Sequence, residues 1–249
     1  MNKDIRSIQT TVVLVEPIGP LNLGSVARLC ANFGVQELRL VSPRCNPADA
    51  EARRMAVHGA GMLEQAKQFS CLLDAVADCH RVVASCGRLD HGNIPLQTPE
   101  QAVPWLLESM GAAPVALVFG REDRGLTNEE LQLAQRVLTL HSSYGYPSLN
   151  LSHAVAIVLH ELQRCQGQGT LREGQSAWPD PASPRQLDAC LTDAQDLLLE
   201  VGFLLSHTAQ ARMAKVRGLL QRAAVRPEEV ALLRGMVRQL RWAIHSRHS

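Results

Sequence analysis

Three short segments of the chain carry polar side chains at points where a predicted strand gives way to a predicted helix. They are Asn22–Arg28, Phe119–Glu130 and Tyr146–Ser152, which we call the first, second and third motif segments. Amide, hydroxyl, carboxylate and guanidinium groups of this kind bind ligands in the crevice at the carboxyl ends of parallel strands. The sequence therefore predicts one ligand site assembled from three distant parts of the chain.

The second motif segment is the most highly charged of the three. Gly120 ends a strand and leaves room for a ligand beside the backbone. Thr127 and Glu130 match a capping box, which places the start of a helix after the loop. The fold alone explains the glycine and the capping box, but it does not explain the charged side chains between them, Arg121, Glu122 and Arg124. We interpret this charge as functional.

Each of the other two motif segments contains a residue suited to capping a helix and a further polar residue that could contact a ligand. Asn22 and Arg28 are six positions apart and therefore about 120° apart around one helix. Asn22 suits a cap or loop position and Arg28 suits a side chain that reaches into a site, although an ordinary surface arginine is the alternative. In the third segment Ser148 or Asn150 caps the next helix. Two hydrogen-bonding side chains beside Tyr146 are more than a cap requires.

The elements that must position these segments are strands alternating with helices. Apolar, β-branched runs predict strands at residues 11–16, 38–42, 81–85, 115–119 and 137–140. This alternation indicates an α/β fold with a mostly parallel sheet of at least five strands and helices on both faces. A flexible break is expected at His58–Gly61, after a helix at residues 48–56.

Composition divides the chain into two parts. Residues 1–165 form the α/β domain, residues 166–186 are a polar linker rich in glycine and proline, and residues 187–249 form a small helical domain. The first of its three amphipathic helices has an apolar stripe of Leu187, Leu191, Ala194, Leu198, Val201 and Leu205. From residue 206 onward the chain has nine Lys or Arg and only two acidic residues. This basic surface is either a solvated helix face or an RNA contact.

Several function classes are excluded by what the sequence lacks. It has no GxxxxGK[ST] segment and no G-x-S-x-G segment, so neither a P-loop enzyme nor an α/β-hydrolase is expected. His160 lacks a second histidine four residues on, and we expect no metal site. The seven cysteines include no CxxC pair. With no signal peptide and no long apolar run, we expect a cytoplasmic protein that does not enter a membrane.

In order and wording, the three motif segments resemble the three motifs of the SPOUT superfamily of knotted RNA methyltransferases. The resemblance covers residues 11–165 and is strongest to the TrmH-like 2′-O-methyltransferases, in particular to the bacterial TrmJ type that acts on cytidine or uridine 32 of tRNA. It implies a C-terminal deep trefoil knot, a homodimer, S-adenosylmethionine as methyl donor and tRNA as substrate. An enzyme acting on ribosomal RNA and a non-catalytic RNA-binding member of the superfamily are the alternatives.

The resemblance also assigns roles to individual residues. Asn22, Arg28, Ser148 and Asn150 correspond to the catalytic set, with Arg28 either a base or a group that lowers the pKa of the ribose hydroxyl by hydrogen bonding and charge. Substrate contacts fall to Arg28, Arg121, Glu122 and Tyr146, with Arg121 on an RNA phosphate. The residues that would hold the cofactor are Ser85, Cys86, Gly87, Gly120, Leu140, Pro147, Ser148 and Leu149.

Overall fold

The computed structural model describes residues 8–88, 94–108, 113–143, 148–167 and 180–246. Buried apolar runs form a seven-stranded sheet in which all strand pairs are parallel, in the order β3-β2-β1-β6-β4-β7-β5. The strands are β1 Thr10–Val15, β2 Glu37–Val41, β3 Lys67–Phe69, β4 Arg81–Ser85, β5 Leu96–Gln97, β6 Val115–Phe119 and β7 Arg136–Leu138.

Helices cover both faces of the sheet, as predicted. Along β1, Val12 and Leu14 belong to one hydrophobic cluster while Val13 and Val15 belong to another, because successive side chains point to opposite faces. The helices of this domain are α1 Pro20–Asn32, α2 Ala50–Ala56, α3 Ala60–Glu64, α4 Leu72–Ala75, α5 Pro99–Leu107, α6 Asn128–Leu131 and α7 Leu151–Gly167.

The five predicted strands are confirmed within one or two residues, and the short edge strands β3 and β5 were not predicted. A break in the helix occurs next to His58–Gly61, as expected, because α2 ends at Ala56 and Val57 has a left-handed φ of 51°. A single 3-10 turn at Val57–Gly59 continues directly into α3. Gly59 lies so close to α1 that a Cβ there would be 2.7 Å from the carbonyl oxygen of Ala27 and 2.8 Å from the Cα of Arg28. This glycine serves close packing rather than flexibility.

Three further helices, α8 Pro184–Glu200, α9 Ser206–Arg222 and α10 Pro227–His245, enclose a hydrophobic cluster of their own. Helix α8 begins inside the predicted linker, because Ser183 and Gln186 form its capping box. The apolar stripe predicted for this helix includes two residues, Val201 and Leu205, that lie beyond its end. The helix ends before Gly202, which has a left-handed φ of 74°, and Val201 and Leu205 are 47% and 53% exposed.

Hydrogen bonds join helix α9, and the segment that precedes α8, to the sheet domain. Arg81, which is almost fully buried at the start of β4, donates from Nε to Asp180 Oδ1 at 2.7 Å. Gln221 of α9 donates from Nε2 to the carbonyl oxygens of Gln132 and Ala134, the latter at 3.2 Å. Within the described ranges, no helix is long and apolar enough to cross a bilayer, and no cluster of three or more potential metal ligands occurs.

Candidate active site

A cavity of about 390 Å³ opens at the carboxyl ends of β4, β6 and β7. Its position agrees with the general rule for ligand sites in open α/β sheets. Seven residues assigned to the cofactor by resemblance line it, namely Ser85, Cys86, Gly87, Gly120, Leu140, Ser148 and Leu149. The remaining cofactor residue Pro147 and the substrate candidate Tyr146 lie outside the described residues. The structure thus brings loops from four parts of the chain to one cavity.

The second motif segment forms a tight reversal at the mouth of this cavity. A Cβ on Gly120 would be 2.3 Å from the carbonyl carbon of Gly125 and 2.4 Å from the backbone nitrogen of Leu126. Arg121 and Gly125 form an antiparallel bridge, and Gly125 has a left-handed φ of 68°. Gly120 was expected to make room for a ligand. The structure shows that it makes room for the backbone of Gly125 and Leu126.

Glu122 holds the first motif segment in place. Its carboxylate accepts hydrogen bonds from the backbone nitrogens of Ile18 and Gly19, both at 3.0 Å, and from Nδ2 of Asn22 at 3.3 Å. Gly19 is the N-cap of α1 and has no side chain to offer. A carboxylate from a distant loop therefore caps this helix, where negative charge is also favoured by the helix dipole. The carboxylate oxygens of Glu122 thus accept hydrogen bonds from the protein itself, whereas a contact with the substrate was predicted.

Asn150 extends the same connection to the third motif segment. Its Nδ2 donates to Oδ1 of Asn22 at 2.9 Å, and its Oδ1 accepts from the backbone nitrogen of Ser152 at 2.9 Å, in the first turn of α7. Asn150 is therefore both a helix cap and a contact to Asn22. We call this chain of hydrogen bonds the Glu122–Asn22–Asn150 network. It links all three motif segments through side chains 100 and 128 positions apart.

Arg121 is buried, with only 8% of its surface exposed. Its guanidinium donates to both carboxylate oxygens of Glu130, at 2.8 and 2.9 Å, and it also pairs with Glu16. A further bond goes to the carbonyl oxygen of Gly125 at 3.2 Å. We therefore assign Arg121 to the support of the loop instead of the predicted grip on RNA phosphate, because its charge is already matched by two carboxylates.

Glu16 makes the stability of this cluster dependent on pH. Its hydrogen bond from Arg121, helped by an ion pair with Arg44, lowers the pKa of Glu16 from 4.5 to about 2. A carboxylate with a lowered pKa contributes stability fully above its unfolded pKa and loses it as the pH falls through the folded value. We expect Glu16→Gln to lower the free energy of unfolding at pH 7.

The difference in the free energy of unfolding between the parent protein and Glu16→Gln should shrink as the pH falls from about 4.5 towards 2. These are the pKa values of Glu16 in the unfolded and folded states. Urea unfolding of the parent protein and of the Glu16→Gln variant over this interval measures it. A difference that stays constant across the interval would show that the charge of Glu16 is unimportant. Glu64→Gln, a substitution of an exposed glutamate on α3, is the control for losing one carboxylate.

Arg28 has its backbone held firmly while its side chain is exposed. On the buried side of α1, a Cβ on Gly24 would be 2.2 Å from the carbonyl oxygen of Ala52, and Gly59 packs on the backbone of Arg28 itself. Within the ranges that the structure describes, no hydrogen bond or ion pair engages the Arg28 guanidinium. Arg28 is thus an exposed arginine that does not itself line the cavity, and this position fits both a group that faces the substrate and an ordinary surface arginine.

Some residues of the site were not predicted. Phe119, Leu151 and Ala154 line the cavity, together with Arg88, which donates to Oδ1 of Asn128 at 2.8 Å. The apolar members are indistinguishable from core residues in the sequence. Glu16 was seen only as the end of a strand, although a carboxylate that directly follows a buried strand is itself a sign of a site at that edge.

The sequence was compared with protein families and with curated proteins. Residues 9–160 match the SpoU rRNA Methylase family. A tRNA (cytidine/uridine-2′-O-)-methyltransferase TrmJ from Cronobacter sakazakii is 32% identical over 230 residues, which make up 91% of this chain and 93% of that protein. A tRNA (cytidine-2′-O-)-methyltransferase TrmJ from Methanocaldococcus jannaschii is 38% identical over 159 residues, 62% of this chain and 67% of that protein.

A solved structure matches the fold over nearly the whole chain. The crystal structure of TrmJ from Z. mobilis aligns with a TM-score of 0.80 and 31% sequence identity, covering 93% of this chain and 99% of that one. The match therefore includes the C-terminal helices as well as the sheet domain.

Proposed function

The chain belongs to the SpoU rRNA Methylase family, and from this premise we propose that it methylates a ribose 2′-hydroxyl of tRNA with S-adenosylmethionine as donor, at position 32 of the anticodon loop. The observation that carries the proposal is that the Glu122–Asn22–Asn150 network joins the first motif segment to the second and third segments, which line one cavity. The tRNA substrate is favoured over ribosomal RNA because the similarity to TrmJ proteins extends over 91% of the chain.

The residues around the cavity fit the proposed donor. Leu140, Leu149 and Leu151 give it an apolar wall suited to a purine, and its volume lies within the usual range for small-molecule sites. Asp123 and Arg124, which are 3.8 Å apart at the rim, offer charges of both signs for an amino-acid group. When bound, S-adenosylmethionine supplies a methyl group on a sulfonium, which is electrophilic without further activation.

Arg28 acts on the acceptor in this proposal. A ribose hydroxyl is a poor nucleophile, so the site must orient it and assist the loss of its proton. Because an arginine side chain stays protonated in proteins, Arg28 serves better as a donor of hydrogen bonds and positive charge than as a base. Its charge would lower the pKa of the hydroxyl and stabilise the developing alkoxide, and the released proton would pass to water, which reaches this exposed side chain. The network sets the position of α1, and with it the position of Arg28.

We include a homodimer and the family's trefoil knot in the proposal. Large apolar side chains between 36% and 48% exposed lie on α1, α2 and α7 and beside them, namely Ile18, Leu21, Met55, Val57 and Ile157. Apolar surface of this kind supports an interface with a second copy of the chain. The knot is supported by the strand order, because β7 pairs with β4 and β5 instead of its predecessor β6. The seven free cysteines support a cytoplasmic location.

Methyl transfer from labelled S-adenosylmethionine to unmodified bulk tRNA and, separately, to ribosomal RNA tests the function. Nucleoside analysis of the tRNA is expected to show 2′-O-methylcytidine or 2′-O-methyluridine. Label found only in ribosomal RNA would keep the reaction and overturn the substrate. No label in either RNA, together with no binding of the donor in calorimetry, would favour the non-catalytic RNA-binding alternative.

A further inference from the structure

A second cavity of about 890 Å³ lies away from the active site, between the β5–β7 edge of the sheet and helix α9. We call it the α9 groove. The sheet domain contributes Gln97, Trp105 and Arg136 to its walls, and α9 contributes Lys215, Gln221 and Arg222. The groove therefore forms only where the C-terminal helices meet the sheet domain, and both parts of the chain supply its polar groups.

The charge of the α9 groove is entirely positive. Arg136, Lys215 and Arg222 line it, and no aspartate or glutamate does so among the residues that the structure describes. The cleft that flanks α9 on the β1–β2 side has the opposite character, because Glu16, Glu129, Glu130 and Asp188 line it and its one lysine or arginine, Arg217, is paired with Asp188 at 2.5 Å. Positive charge is thus concentrated on one side of a helix in a chain whose formal net charge is only +1.

Arg136 forms no ion pair within the described residues, and the carboxylate of Glu108, which pairs with Arg81 at 4.0 Å, only partly offsets its charge. Arg136 is partly buried, its Nη1 donates only to neutral oxygens of Gln97 at 3.3 Å and Gln101 at 3.4 Å, and its guanidinium lies 4.4 Å from the ring centre of Trp105. Burial, and secondly the nearby charge of Arg81, lower the pKa of Arg136. Arg81 contacts the same ring at 4.8 Å but has Asp180 as its partner. An anion in the groove would relieve the cost of this partly offset charge.

The lysine and arginine residues of α9 differ in whether they have carboxylate partners. Lys215, Gly218 and Arg222 are spaced three and four residues apart, so they share one face of the helix. Both cations of this face are exposed, and within the described ranges neither forms an ion pair. By contrast, Arg217 lines the acidic cleft and pairs with Asp188. Arg212 donates to the neutral carbonyl oxygen of Phe203 at 3.2 Å and keeps its charge, but it does not line the groove. Both cations of the groove face therefore keep their positive charge available.

We propose that the α9 groove binds the sugar–phosphate backbone of the RNA substrate at a point away from the methylated nucleotide. The inference rests on the proposed function, which makes RNA the substrate. Guanidinium and ammonium groups without ion-pair partners suit phosphate, and the amides of Gln97 and Gln221 suit ribose hydroxyls. Strand β7 begins at Arg136 in the groove and leads to Leu140 in the active-site cavity. These positions are about 13 Å apart if the chain is extended, so one RNA molecule can contact both.

The test compares two variants that lose the same charge. Lys215→Gln/Arg222→Gln removes both cations from the groove face. The control variant, Arg185→Gln/Arg238→Gln, removes one cation each from α8 and α10, outside the groove, and neither forms an ion pair within the described residues. All four side chains are exposed, so both variants should fold. Filter binding of unmodified tRNA is measured for both variants and the parent protein at several salt concentrations, alongside calorimetry with S-adenosylmethionine.

The groove variant is expected to bind tRNA about tenfold or more weakly than the parent. Its plot of log affinity against log salt should be shallower by about 2, because each phosphate that is no longer neutralised lowers the slope by about one. Its affinity for S-adenosylmethionine should not change, and its KM for tRNA should rise more than its kcat falls. Equally weakened binding by the control variant would contradict the proposal and indicate a diffuse basic surface.

Unchanged tRNA binding by the groove variant, with normal binding by the parent, would also overturn the proposal. Failure of the proposed function looks different, because the parent protein itself would then transfer no methyl group to tRNA, whether or not it binds tRNA. The two inferences can therefore fail separately.

Discussion

Arg28→Ala is expected to lower kcat for methyl transfer by about 10²–10³-fold, the usual cost of removing one group that stabilises developing negative charge. The fold and the affinity for S-adenosylmethionine should not change. Arg28 is exposed on α1 and makes no ion pair within the described ranges, while Gly24 and Gly59 hold the helix by backbone contacts that the substitution leaves intact. Single-turnover methylation at saturating tRNA, with calorimetry for the donor, measures both expectations.

Arg54→Ala is the matched control for this experiment. Arg54 lies on the neighbouring helix α2 with its side chain 76% exposed, and its nearest carboxylate, that of Glu51, is 3.9 Å away. Its removal should leave turnover within a few-fold of the parent value. Arg28→Lys should recover only part of the activity, because an ammonium group keeps the charge but loses the planar donor geometry. Near-normal turnover by Arg28→Ala, or its failure to fold, would contradict the assignment.

Gly120→Ala is expected to have the second large effect, on both stability and activity. The added Cβ would be 2.3 and 2.4 Å from backbone atoms of Gly125 and Leu126, which no side-chain rotation can relieve. The loop must move, at a cost of about 1–3 kcal/mol in the free energy of unfolding. Since the same loop carries Glu122 and forms a cavity wall, a shift of about 1 Å should lower methyl transfer by about 10²-fold.

Gly61→Ala serves as the steric control, because a Cβ at this position in α3 meets nothing within 4 Å. It should be neutral or should stabilise the protein by up to about 1 kcal/mol, since alanine favours a helix over glycine. Thermal unfolding and calorimetry with S-adenosylmethionine are measured for both variants. Equal stability and equal donor affinity in Gly120→Ala and Gly61→Ala would show that the tight reversal at Gly120 is not needed.

Much of the sheet domain follows from local patterns. The buried run Thr10–Val15 is β-branched at every position except Leu14, as suits a parallel strand covered on both faces, and the four other predicted strands are each built around buried apolar residues. Strands β3 and β5 escaped prediction because they have only three and two residues. The end of α8 could have been predicted from Gly202, whose left-handed backbone stops the helix.

The partners of the site residues depend on tertiary contacts that spacing cannot reveal. The sequence marks Glu122 and Arg121 as unusual charges in one loop, but their partners lie in other segments. Glu122 binds backbone nitrogens about 100 positions away, and Arg121 is neutralised by Glu16 and Glu130. Both residues were expected to face the substrate, and both instead hold the loops that form the site. The close contacts of Gly120 could not be predicted either, because they form only when Gly125 and Leu126 fold back against it.

The most direct test of the central claim uses two tRNA transcripts with cytidine at position 32, identical except that one lacks the 2′-hydroxyl of that nucleotide. Both are incubated with the protein and labelled S-adenosylmethionine, and incorporation is measured over time. If the protein methylates this 2′-hydroxyl, we expect stoichiometric labelling of the unmodified transcript and none of the 2′-deoxy transcript, with both transcripts bound to similar extents. Equal labelling of the two transcripts would contradict the claim that this ribose hydroxyl accepts the methyl group.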